Sequence, residues 1–369
     1  MSEASEQERR SGIDRIKPSV RRLGAYHLAE AHVPVKLNQN ESPYDLPEPL
    51  KRRVLEEVAA RSWNRYPGFV PSALVGAIAE RHGCDPEGVL TGNGSNELIQ
   101  AVLAVTVTPG AAVVVPEPTF SLYALLTEVH EGRVVPVPLR GDLSYEAAKF
   151  AETTRREEAA VVVVCSPNNP TGSVVSREEV RRLHDGTDAL IVVDHAYLEF
   201  GGEDAGELLD RCPRLVVLRT FSKAMGMAGL RAGYLLTSPE LAREVAKAKL
   251  PYNLNIFTER AALAVLREPQ ALGEPMEALR AARDRIFREL EMLSGIHPYR
   301  SEANFVLFRV ARDPVGHAEL FRRLRDEHGV LIRDVSHYPM LDGCLRVSAG
   351  NGEETDAFLS ATRTILEGS

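Results

Sequence analysis

The chain has 369 residues, with 44% hydrophobic and 26% charged side chains and a formal charge of -8 at pH 7. That is too long for one small core and predicts a large domain plus a smaller one in a globular enzyme-sized protein. No apolar run approaches the roughly 20 residues that cross a bilayer, the opening MSEASEQERRSGIDR lacks the apolar stretch of a secretory signal, and the acidic balance without a dense Lys/Arg block argues against a nucleic-acid partner; a cytoplasmic location is expected.

Residues 1–30 read as a charged arm in which Pro18 and Gly24 interrupt any helical pattern. A large domain is expected over 31–275 and a small one over 276–369, the latter packed with the arm. From about residue 50, helical stretches alternate with short apolar runs: AAVVVP (111–116), AAVVVVCSP (159–167), ALIVVD (189–194), RLVVLRT (214–220) and AGYLLT (232–237). Runs of β-branched residues without polar alternation predict strands buried on both faces of a mainly parallel sheet covered by helices, an α/β architecture. Beyond 275 a charged helix, MEALRAARDRIFRELEML, leads into strand ANFVLFRV, a helix, VLIRD, strand CLRVSAG and a closing helix, the texture of a separate α+β domain. Cys84, Cys165, Cys212 and Cys344 are far apart without CxxC spacing, so buried thiols are expected and no metal site.

Open parallel sheets bind ligands beyond the carboxyl ends of their strands. Four such ends carry polar signatures: TGNGSNE (91–97), SPNNPTG (166–172), DHAY (194–197) and TFSKAMGMAGLRAG (220–233). Together with LNQNESPY near the start, RYPGF (65–69), EPTFSLY (117–123) and the closing RDVSHYPMLDGCLRVSAG, this ordered set resembles the fold-type I pyridoxal 5′-phosphate aminotransferases, and in its finer pattern the histidinol-phosphate aminotransferase family. The resemblance covers nearly the whole chain. It implies a seven-stranded, mainly parallel sheet in the large domain, a homodimer with shared active sites, and transfer of an amino group between L-glutamate/2-oxoglutarate and L-histidinol phosphate/imidazole-acetol phosphate in histidine biosynthesis.

The resemblance also assigns residues, each with a physical reason. Lys223 carries the cofactor as a Schiff base and moves protons, which requires a site that disfavours its ammonium form. Asp194 meets the protonated pyridine nitrogen, which compensates a carboxylate brought deep into the fold. Tyr197 and Asn169 bond the phenolic oxygen. Gly94, Ser95 and Asn96 open a helix whose free amides and dipole bind the phosphate, and Ser222 and Arg231 add a hydroxyl and a guanidinium. Phe120 stacks on the ring, and Tyr66 reaches the phosphate of the neighbouring subunit. For substrate, Arg346 clamps the α-carboxylate, with Arg333 on the substrate phosphate and Asn40, Asn169 and Tyr66 nearby. From the residues alone, a structural salt bridge for Arg346 and a strand-edge place for Arg333 stay open. The chain departs from the family pattern at Ser42, Phe120 and His195. An aromatic amino acid aminotransferase and a threonine-phosphate decarboxylase are the alternatives within the same enzyme class.

Overall fold

The computed structural model describes residues 12–25, 33–311, 313 and 315–368. Thirteen strands are present among them: β1 (Val35–Lys36), β2 (Val89–Gly92), β3 (Ala112–Glu117), β4 (Arg133–Pro138), β5 (Val161–Cys165), β6 (Leu190–Asp194), β7 (Leu215–Thr220), β8 (Gly233–Leu236), β9 (Ile296–Pro298), β10 (Phe305–Val310), β11 (Val330–Leu331), β12 (Arg333–Asp334) and β13 (Cys344–Ser348).

The expected seven-stranded sheet forms with order β2-β8-β7-β6-β5-β3-β4. Side chains alternate across a strand, and here both faces are apolar. Val114, Val162, Val164, Ile191, Val193, Leu215 and Val217 enter one core with helices Glu48–Ala59, Ser72–His82 and Ile256–Arg267. Val113, Val115, Val161, Val163, Val192, Val216 and Leu218 enter a second core with the helix Ser95–Thr106. This burial from both sides explains why the runs show no polar alternation. AGYLLT became β8, which is antiparallel to both β7 and β2. An apolar run reports burial and says nothing about direction. β4 and β2 were not among the apolar runs, because RVVPVP is broken by prolines and alternates exposed with buried positions, as an edge strand does, and β2 has four residues.

In the C-terminal part, an antiparallel sheet of order β12-β13-β10-β9 packs through Val306, Phe308, Leu345 and Val347 against helices Gly273–Glu291, His317–Asp326 and Gly352–Glu367. The helix Gly352–Glu367 starts with a capping box between Asn351 and Glu354, which satisfies otherwise open amides. β1 pairs in parallel with β11, and Leu37 enters the same small core. Residues 35–37 therefore pack with the C-terminal sheet, inside the span assigned from sequence to the large domain.

Of the arm over 1–30, residues 1–11 and 26–30 lie outside the described residues. Its described part contains the helical turns Gly12–Arg15 and Pro18–Arg21, and Lys17 reaches Glu131 (3.1 Å) and the carbonyl of Val129 (3.4 Å) beside helix Leu122–Val129. In the described part of the arm, the basic side chain of Lys17 thus finds an acidic partner beside the large sheet's helical layer.

Candidate active site

The carboxyl ends of β3, β5, β6 and β7 point to one side of the large sheet, and the C-terminal sheet closes over that side. Between them lies a cavity of about 260 Å³. From the large sheet come Ser95, Asn96, Phe120, Tyr123, Cys165, Asn169, Asp194, Tyr197, Thr220, Ser222, Lys223 and Arg231. The opposite wall is Arg333, Val335, Tyr338 and Arg346, and the strap Asn38–Asn40 lies at the junction.

One end of the cavity is an anion site. Helix Ser95–Thr106 begins after Gly94, whose φ is 81°, so its first amides have no helical partner. Arg231, itself at φ 55°, donates from Nη1 to Ser222 Oγ (3.0 Å) and to the Ala228 carbonyl (3.2 Å). A Cβ on Gly94 would collide with Nη2 of Arg231, and one on Gly233 would collide with the backbone of Gly94 and Ser95. Two glycines thus let a guanidinium, a hydroxyl and a helix N-terminus converge. Gly94 shapes this end without lining the cavity.

Asp194 ends β6 and is 3% exposed. Oδ1 accepts from the Ala196 amide (3.0 Å) and Oδ2 from the Tyr123 hydroxyl (2.7 Å). Burial pushes its carboxyl above the usual range, and the two donors work against that rise. Phe120 meets Tyr123 edge-on, with centroids 5.7 Å apart. Tyr123 had not been singled out, although it stands three residues after Phe120 in EPTFSLY.

Lys223 follows β7 and donates from Nζ to the Gln39 carbonyl (2.8 Å). Burial, and then the field of Arg346 with a smaller one from Arg231, brings its amine down to about 7. Arg346, in the middle of β13, donates to Asn169 Oδ1 (2.5 Å) and to the Asn38 carbonyl (2.7 Å), and its guanidinium lies 5.2 Å over the Phe305 ring. Asn40, at φ 54°, donates from its side chain to the Tyr197 hydroxyl (3.0 Å), while its backbone amide donates to Ser348 Oγ (2.9 Å). Burial pushes the Tyr197 phenol up to about 12, against the pull of Arg346 and Asn40. Arg333 pairs with Arg346 across β12 and β13 in antiparallel register. The strap carbonyls of Asn38 and Gln39, and Tyr338 beside Arg333, were not anticipated, because a backbone acceptor leaves no mark in a residue pattern.

Tyr66 is 82% exposed and does not line the cavity of its own chain. It stacks on Tyr252 (4.6 Å), against which Phe69 packs edge-on. The next residue, Asn253, donates to the Thr91 carbonyl and to Glu97, so this aromatic patch borders the anion end of the cavity. His195 points away from the cavity and is 1% exposed. Its Nδ1 meets the Ser166 carbonyl (2.5 Å), and its Nε2 accepts from the Ala205 amide (3.0 Å). Burial and Arg219 bring it down to about 4, so it is neutral and acts as a splint behind Asp194. Ser42 closes a local turn with Tyr44. Cys165, Cys212 and Cys344 are buried and Cys84 is partly exposed.

Residues 33–361 match the family described as aminotransferase class I and II. The histidinol-phosphate aminotransferase of Chlorobaculum tepidum is 38% identical over 352 residues, covering 95% of this chain and 100% of that protein. That of Prosthecochloris aestuarii is 38% identical over 346 residues, covering 93% and 96%. The crystal structure of histidinol-phosphate aminotransferase from Sinorhizobium meliloti in complex with pyridoxal-5'-phosphate aligns with a TM-score of 0.86 at 26% identity, covering 96% of this chain and 98% of that one.

Proposed function

The chain belongs to the class I and II aminotransferases, and on that premise we propose that it uses pyridoxal phosphate to transfer an amino group between L-glutamate and imidazole-acetol phosphate, giving 2-oxoglutarate and L-histidinol phosphate. The observation that carries this reading is the convergence in one cavity of a lysine held near neutrality, a buried carboxylate and an anion site built from a helix N-terminus, a hydroxyl and a guanidinium.

The residues present fit the cofactor. Gly94, Ser95, Asn96, Ser222 and Arg231 would hold its phosphate, with the cradle kept open by Gly94 and Gly233. Asp194 would take the ring nitrogen, Phe120 the ring face, and Tyr197 with Asn169 the phenolic oxygen. When bound, the cofactor supplies an electrophilic aldehyde carbon and a ring that accepts the electron pair of the broken Cα–H bond.

Lys223 then does the proton work. An amine near 7 is about half unprotonated at neutral pH, whereas an ordinary lysine is almost wholly charged, so it can take the proton from the substrate Cα and return it on the cofactor side, as anchor and general acid/base in turn. Arg346 orients the substrate anion: its fork already faces two oxygen acceptors, Asn169 Oδ1 and the Asn38 carbonyl, which a carboxylate or phosphate replaces. Arg333 adds a second cation for a phosphate dianion. Asn40 steadies Tyr197. The small domain and strap cover the site and exclude water.

The working unit is a homodimer in the cytoplasm, with Tyr66 reaching the anion end of a neighbouring subunit's site. The support is an exposed aromatic cluster of Tyr66, Phe69 and Tyr252 next to that end. Among the described residues no helix is long and apolar enough to cross a membrane.

The deciding assay follows 2-oxoglutarate-dependent consumption of histidinol phosphate beside phenylalanine, tyrosine and threonine phosphate. The expected result is the highest specificity constant for histidinol phosphate. Preference for an aromatic amino acid, or carbon dioxide released from threonine phosphate without any need for 2-oxoglutarate, would overturn the substrate assignment.

A further inference from the structure

A buried carboxylate is stable as an anion only when its lone pairs are engaged. Asp194 has two donors, the Ala196 amide on one oxygen and the Tyr123 hydroxyl on the other. The amide belongs to the turn that follows β6 and would be there whatever the side chains. The phenol is different. Tyr123 is fully buried in an otherwise apolar cluster with Val113, Val163 and Leu98, where phenylalanine would fill nearly the same volume. Its hydroxyl is therefore not explained by packing, and it is spent on Asp194. The tyrosine is also fixed: its carbonyl accepts from the Thr127 hydroxyl (2.8 Å), and its ring meets Phe120 edge-on. The neighbouring Cys165 thiol is turned to the Pro167 carbonyl (3.4 Å).

We propose that Tyr123 is a positioning residue for the cofactor: its hydroxyl holds Asp194 as an anion in one orientation and, through its ring, couples that carboxylate to the residue stacked on the cofactor. The inference rests on the proposed function, in which Asp194 meets the ring nitrogen. A hydrogen bond to the charged form of a buried acid favours that form. Without the phenol, burial shifts Asp194 toward the neutral acid, which no longer holds a protonated ring nitrogen, and the ring accepts electrons less well. Burial and the charge of Asp194 keep the Tyr123 phenol well above its usual range, so the shared proton stays on the tyrosine.

Four holoenzymes test it: wild type and Tyr123→Phe, each loaded with pyridoxal phosphate or with an analogue whose ring nitrogen is replaced by C–H. The readouts are the cofactor dissociation constant by equilibrium dialysis and the single-turnover rate with glutamate. With pyridoxal phosphate, Tyr123→Phe should bind about tenfold more weakly and react about tenfold more slowly, the size of one buried hydrogen bond to a charged group. With the analogue the two proteins should be alike, because the carboxylate has no ring nitrogen to hold. Equal losses on both cofactors would make Tyr123 merely structural, and no loss on either would leave its hydroxyl without this role; each outcome overturns the inference alone. Wild type that binds the analogue as tightly as pyridoxal phosphate would instead overturn the pairing of Asp194 with the ring nitrogen, a separate failure that the wild-type arms reveal by themselves.

Discussion

The two walls of the cavity are built on different terms. On the large-sheet wall, each chemical group stands at or just beyond the end of a strand whose register is fixed by apolar neighbours on both faces: Asp194 ends β6, Lys223 follows β7 and Asn169 follows β5. On the opposite wall, Arg333 sits on the two-residue β12 and Arg346 on β13, and the groups that Arg346 meets arrive from elsewhere in the chain, Asn38 from the strap and Asn169 from beyond β5. The first wall is rigid before any ligand interaction is counted. The second is assembled from segments far apart in sequence, so a change there should alter which substrate is accepted more than whether the chemistry runs.

The largest effect expected is on the rigid wall. Lys223→Ala should retain pyridoxal phosphate through the anion end while losing turnover by about 10²- to 10⁴-fold, since the proton-transfer group is gone. Stopped-flow turnover with glutamate reads the loss, and a rate within a few-fold of wild type would end the assignment. The same variant tests the dimer. Mixed with Tyr66→Ala under subunit exchange, it should form heterodimers with one site carrying both defects and one carrying neither, so activity should rise above that of either parent. If exchange is demonstrated and activity stays flat, Tyr66 does not act across the interface.

A smaller, selective effect is expected on the assembled wall. If Arg333 serves the substrate phosphate as proposed, Arg333→Ala should cost roughly 1.5 to 3 kcal/mol, or about 10- to 150-fold in specificity constant for histidinol phosphate. Glutamate, held mainly by Arg346, should lose less, and phenylalanine should change little. Uniform losses across the three substrates would show that Arg333 is a strand-edge residue with a structural task and that the two walls do not divide chemistry from selectivity.

The same contrast explains what the sequence revealed. Groups at strand ends are legible because an apolar run announces the strand and the residues after it stand at its carboxyl end, which is how the segments holding Asp194, Ser222 and Lys223 are picked out, their roles then following from the resemblance. The Asn38 partner of Arg346 and the Gln39 partner of Lys223 were not legible, because both acceptors are backbone carbonyls and any residue supplies one. Tyr123 was missed for another reason: a tyrosine among valines and leucines reads as core, and only the 2.7 Å contact with Asp194 distinguishes it. The described part of the arm lies beside helix Leu122–Val129, where Lys17 meets Glu131 and the Val129 carbonyl, contacts that charge counting does not locate.

The smallest effect expected links the two walls through one titration. Lys223 stands on the rigid wall, yet after burial the main influence lowering its amine is the charge of Arg346 on the other. Only the unprotonated amine attacks an aldehyde, so the rate at which cofactor-stripped protein recaptures pyridoxal phosphate should be flat above about pH 7 and fall about tenfold per unit below it. The sign for stability follows from proton counting. Between about 7 and the usual lysine value of 10.5 the unfolded chain binds a proton at Lys223 that the folded chain does not, so this group makes the stripped protein more stable as pH rises through that window. Arg346→Gln removes the opposing cation and should move the midpoint of the recapture profile upward while leaving burial in place. A profile whose midpoint stays put would mean that desolvation alone sets the lysine, and that the small-domain wall selects the substrate without tuning the amine across from it.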